Sequence, residues 1–256
     1  MENTDTHSKK EFEGNVRRRS PSIFAGKGNR EVENFFIALA AVYNDLKGVF
    51  ALMNLIDDVY RIPDRDKNEI SAHVGERSGV RDQLVRILIS ITHEFLKLLE
   101  ENNGVFSTSD FRIVLGRVRS TERANWKQMV AIATGEKMTS EATEFRKFLA
   151  ICRNKVGFHY DSEMMRSGYD RIFFQRSKNA GNEAAMYSLE STMRTSRFYF
   201  ADAAQQEAMA LSAIKATGSV SDDDVRKILE MHSDFVSDMH RAIWHLLKEY
   251  INSRPH

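Results

Sequence analysis

The segment Arg153-Asn154-Lys155-Val156-Gly157-Phe158-His159-Tyr160-Asp161 closes a strongly amphipathic run and brings together an arginine, an amide and a histidine. An arginine is a permanent cation that grips phosphate through two N–H groups at once. A histidine is the side chain that most readily gives or takes a proton near neutral pH. Together they suit phosphodiester cleavage. RNA brings its own nucleophile, the 2′-hydroxyl, so a histidine here would remove that proton or protonate the leaving oxygen. Arg153 would stabilise charge on the phosphorane-like transition state, an electrostatic role worth about 3 kcal/mol. Asn154 would orient the histidine or hold a phosphate oxygen. Such chemistry needs neither metal nor cofactor, leaves a 2′,3′-cyclic phosphate and a 5′-hydroxyl, and spares DNA.

The same residues admit a plainer reading, with Arg153 in a structural salt bridge and His159 a partly buried helix-end histidine. In a continuous α-helix the six-residue step from Arg153 to His159 leaves the side chains about 120° apart and roughly 9 Å along the axis, off any common face. Gly157 would loosen the helix before the histidine. Arg, a polar residue, four further residues and His resemble the R-x(4–6)-H signature of the HEPN superfamily, all-α proteins many of whose members are metal-independent ribonucleases. The likeness covers this one segment. It implies that two protomers pack around the motif helices, so that both Arg–His sets line one composite cleft. It implies further a homodimer, catalytic Arg153, His159 and Asn154, a toxin or phage-defence role, and an antitoxin or other regulatory protein as partner. The alternative is a non-catalytic HEPN-like module that binds RNA, a nucleotide or a partner protein with the same surface. A purely structural helical adaptor is a third reading.

Other residues are weighed beside the motif. Lys155 and Tyr160 flank it as substrate contacts; Tyr160 would either stack on a base or pack against a core. Asp161 either orients the imidazole or caps a helix end, and capping is the expectation. Arg119, Arg123 and Lys127 fall four apart on one helical stripe, with Arg112 and Arg117 nearby, and would track a phosphate backbone or simply form a solvated face. His232, His240 and His245 lack the i, i+4 spacing of a metal pair. Gly26-Lys27-Gly28 lacks the ending of a phosphate loop. Cys152 reads as a buried structural thiol.

These groups need a scaffold. The 256 residues are 42% apolar, enough for a substantial core, with a formal charge of only +1. The longest apolar run, Phe35 to Tyr43, is nine residues against the roughly 20 that cross a bilayer, so no membrane partner is expected. A single cysteine excludes an internal disulfide framework and fits a reducing, cytoplasmic setting. Residues 1–29 read as a disordered basic tail, with five basic residues and no acidic one between Arg17 and Arg30.

From 30 to 256 the pattern is one helical, HEPN-like domain: an all-α, up-and-down bundle with C-terminal decoration. Phe35, Leu39, Val42, Leu46, Val49, Met53, Ile56 and Tyr60 mark a long helix that stops before Pro63. Val80 to Leu98 marks a second, ending at Asn102-Asn103-Gly104 and forming an antiparallel hairpin with the first. A third helix is expected over 107–134, with Gly116 as its weak point. A fourth starts after Thr139-Ser140 and delivers the motif. Short aromatic alternation suggests a small β-hairpin near 186–200. Helix resumes from Ala201 to Ala216, breaks at Gly218, and restarts at Ser221.

Overall fold

The structure, a computed structural model, describes residues 29–60, 72–136, 138–157, 161–175, 187, 196–219 and 221–254. Apart from Asn29 the basic tail lies outside these residues, as do His159, Tyr160 and most of the segment expected to form a hairpin. Among the described residues the chain is an all-α bundle of eight α-helices with no β-strand.

Helix α1 (Arg30–Val59) begins where the Asn29 side chain accepts from the Glu31 amide at 2.9 Å, and ends at Tyr60, three residues before Pro63. Helix α2 (Ala72–Glu101) is joined to it by Arg77 and Arg81, both 3.0 Å from Asp57. The end of one helix thus meets the start of the next, which makes the pair antiparallel. A 3₁₀ turn over Asn103–Ser107 leads into α3 (Ser109–Arg117), capped by Thr108. Helices α4 (Ser120–Thr134) and α5 (Ser140–Cys152) follow, the latter capped by Thr139, which accepts from the Ala142 amide at 3.2 Å.

Two sequence expectations need correction. The single helix over 107–134 is two helices, because Val118 and Arg119 take extended backbone with ψ of 143° and 151° between α3 and α4. Tyr199 and Phe200, read as strand residues, instead open helix α7 (Tyr199–Thr217). The alanine-rich run behind them favours helix intrinsically, and Arg197, just ahead, is fixed by Glu76 at 2.7 Å and Asp202 at 2.8 Å. The last helix, α8 (Asp222–Ser253), restarts after Gly218 with Ser221 accepting from the Asp223 amide at 3.2 Å.

Helix α2 is the centre of the bundle, with α1, α4, α5 and α7 all packed on it. An aromatic cluster of Phe35, Phe36, Phe111, Trp126 and Tyr250 joins α1, α3, α4 and α8. Phe36 and Tyr250 stack at 3.9 Å, a contact of the kind worth about 1 kcal/mol beyond its buried area. The buried Glu33 lies 3.7 Å from Arg254, tying the end of the chain to α1. By length and composition α1 is also able to cross a bilayer, a property that counting uninterrupted apolar runs overlooks. Its Val32, Phe35, Phe36 and Leu39 belong to the core, while Ile37, Leu52, Leu55 and Val59 are exposed.

Candidate phosphate-binding turn

Helix α5 does not continue through the motif. Its α-helical bonds end at Cys152, and Arg153–Gly157 form one turn of π-helix, a wider coil that often marks functional sites. The apolar face of α5, Phe145, Phe148, Leu149 and Cys152, is buried against the bundle, and so is Val156 in the π-turn. This leaves Arg153, Asn154 and Lys155 at the surface. The α-helical angle assumed between Arg153 and His159 therefore does not apply.

Arg153 is held from two sides. Its Nε donates to Glu94 Oε1 on α2 at 3.0 Å and its Nη1 donates to Asn154 Oδ1 at 3.0 Å. Its Nη2 has no acceptor among the described residues, and the side chain is about one-third exposed. The guanidinium is thus oriented by two neighbours with donor capacity left over. Arg153 also makes the salt bridge that the plainer reading anticipates.

Lys155 and Asp161, which flank His159 in the sequence, are joined to each other. The Asp161 amide donates to the Lys155 carbonyl at 3.2 Å, and the two side chains form an ion pair. Asp161 also accepts from the Met164 amide at 2.9 Å, capping helix α6 (Ser162–Asp170). Capping is what its sequence position suggested, and the helix served is the following one. Its carboxyl is held below the ordinary carboxylate range by Lys155 first and by the Met164 amide second. Lys155, chosen as a substrate contact, is engaged here as the partner of Asp161.

Gly157 lets the π-turn approach α2. A methyl on it would sit 2.9 Å from Ser90 Oγ and 3.4 Å from the Cys152 carbonyl. Further on, α6 rests on α7 through Gly168, where a methyl would fall 2.2 Å from the Ala204 carbonyl oxygen. A second π-turn, Arg171–Gln175, is fixed to α7 by the ion pair of Arg171 with the buried Glu207 at 2.8 Å.

The structure adds two residues that the sequence did not flag. Glu94 is the main partner of Arg153, and His93 stands next to it with Nδ1 buried and 3.7 Å from Glu94 Oε1, beyond hydrogen-bond reach. Burial holds the His93 pKa down; Glu94 raises it and Arg153 lowers it further. His93-Glu94 matches no motif, and its link to Arg153 spans 59 positions.

The remaining candidates do not converge on the turn. Arg119 is not on the α4 stripe but just before it, as the N-cap residue. Arg123 donates to the Val118 carbonyl at 2.9 Å, and Lys127 is exposed on α4. The histidines of α8 sit in three different settings. His232 is buried and 3.2 Å from Thr92 Oγ1, His240 stacks on Tyr43 at 5.1 Å, and His245 lies 3.7 Å from Glu122. No group of three His, Cys, Asp or Glu able to hold a metal occurs among the described residues. Cys152 is buried, and burial pushes its thiol up to about 12.

No known protein family matches the chain, and neither a curated protein nor a solved structure matches it. The class defined by the fold is an all-α helical bundle.

Proposed function

We propose that the chain is a HEPN-like, metal-independent endoribonuclease that grips an RNA phosphate with Arg153 and Asn154 and transfers protons with His159 at a homodimer interface. The observation that carries this reading is the presentation of Arg153: a guanidinium held by Glu94 and Asn154, partly exposed, on a π-turn that ends two residues before His159 in the sequence. Fixing donors before the substrate arrives is how electrostatic stabilisation reaches full strength in a transition state. A cytoplasmic toxin or phage-defence role, with a regulatory partner, accords with the same resemblance.

The test is direct. Purified protein in excess EDTA should cut RNA and spare DNA of the same sequence, leaving cyclic-phosphate ends. Arg153→Ala and His159→Ala should each lower cleavage about 10²- to 10⁴-fold with helix content unchanged. Equal cleavage by the wild type and both variants would refute the assignment. Light scattering should report a dimer, and a fully active monomer would remove the composite cleft.

One observation favours a second reading. Glu94 already offsets the charge of Arg153, as suits a HEPN-like module that binds RNA, a nucleotide or a partner protein without cleaving. RNA binding that survives in EDTA with no cleavage of any RNA tested would select it.

A further inference from the structure

Between α3 and α4 lies a cleft of about 510 Å³, built from elements other than those that carry Arg153. That volume falls within the range of small-molecule sites. Its apolar floor is formed by the half-buried Phe106, Leu115 and Val130, and the indole of Trp126 lies sealed behind Phe106, edge-on at 5.7 Å. The lining includes Arg112 from α3 and Lys127 from α4, both exposed, and neither pairs with a carboxylate among the described residues. A third wall residue, Arg123, is anchored through Nη2 to the Val118 carbonyl, while its Nε is buried and has no acceptor among the described residues. Glu136 is the one acidic residue on the lining.

The excess of unpaired cations over an apolar floor that exposes part of Phe106 selects for a ligand with the opposite arrangement. An anion alone would leave the floor wet, and a neutral ring would leave Arg112 and Lys127 without counter-charge. We infer that this cleft binds a small aromatic anion, a planar ring system carrying a phosphate or carboxylate, with the ring on Phe106 and the anion held by Arg112 and Lys127. Arginine and lysine both serve such groups, the first by paired N–H donors and the second as a point charge. The break between α3 and α4 contributes by freeing the Val118 carbonyl to hold Arg123 at the wall. The inference is independent of RNA cleavage at the Arg153 turn.

Trp126 provides the readout. In a Trp244→Phe background its emission should change saturably with a nucleoside 5′-monophosphate or with 2-naphthoate. The parent nucleoside should bind at least about 10-fold more weakly, and inorganic phosphate should leave the emission unaltered. The better of the two anions identifies the head group. The double variant Arg112→Glu, Lys127→Glu changes only exposed positions and should melt like its parent while losing at least about 10-fold in affinity. Isothermal titration run in parallel covers a ligand that leaves the indole emission unaltered. No saturable binding of either anion by both methods, or undiminished binding by the folded double variant, would overturn the inference.

Discussion

Lys155 and Asp161 are joined twice, once through the backbone and once through their side chains, and His159 lies between them in the sequence. Each link does a different job. The backbone bond ties the π-turn to the residue before α6, the ion pair adds a second tie, and the same Asp161 carboxylate starts α6. Lys155→Ala should remove the ion pair alone, whereas Asp161→Ala removes the pair and the cap together. The denaturant midpoint should therefore fall further for Asp161→Ala than for Lys155→Ala. Because the Asp161 pKa is lowered in the fold, its contribution is present above the ordinary carboxylate range and is lost as pH falls through the lowered value. Equal midpoints for the two variants would mean that the cap contributes nothing.

Gly168 is where α6 and α7 touch through their backbones. Gly168→Ala forces a methyl against the Ala204 carbonyl, 2.2 Å away, and backbone on both sides gives no flexible group to yield. The expected loss of stability is about 3 kcal/mol, read by urea unfolding. Gly157→Ala meets a side-chain oxygen instead, Ser90 Oγ, so it should cost about 1 kcal/mol and recover in part when combined with Ser90→Ala. Ser90 Oγ donates to the Arg86 carbonyl on its own helix at 2.9 Å. A double variant no more stable than Gly157→Ala alone would place the clash elsewhere.

His232 couples folding to acidity. Burial takes its pKa from 6.5 to about 4. Above 6.5 the ring is neutral in both folded and unfolded chains. Between 6.5 and about 4 the unfolded chain takes up a proton that the folded one refuses, so stability falls with pH, and below that window the contribution is constant. The total is on the order of 3 kcal/mol. His232→Leu should flatten that part of the pH–stability curve, since Thr92 keeps its bond to the Leu88 carbonyl at 2.8 Å. Parallel curves for the two proteins over pH 4 to 6.5 would contradict this.

Glu94 sets how much of the Arg153 charge a phosphate meets. Glu94→Gln keeps an oxygen for Arg153 Nε while removing the opposing charge, so RNA affinity at low salt should rise several-fold. Filter binding at two salt concentrations measures it. Unchanged affinity would indicate that the phosphate and Glu94 occupy different sides of the guanidinium.

Much of the scaffold is legible in the residues themselves, and what escapes does so for physical reasons. The start of α5 is announced by Thr139 and the restart of α8 by Ser221, because capping oxygens are local features. The division between α3 and α4 is hidden: Val118 is buried, so hydrophobic periodicity runs through a break that contains neither proline nor glycine. Helix α6 is hidden differently. Its buried positions are Met164 and Gly168, and a glycine packed backbone to backbone carries no hydrophobic signal. At the candidate site Arg153 and Asn154 stand out by type, but Glu94 and His93 come from α2. Contacts across 59 positions leave no trace in spacing.

The lone thiol gives the motif a built-in clock. Only the thiolate attacks alkylating reagents, and in the folded chain Cys152 is shut away with its pKa pushed up to about 12, one residue before Arg153. Labelling at neutral pH must wait until the end of α5 comes apart. With opening rather than alkylation limiting, the labelling rate counts how often the turn bearing Arg153 unravels. A ligand that grips the turn would slow that count.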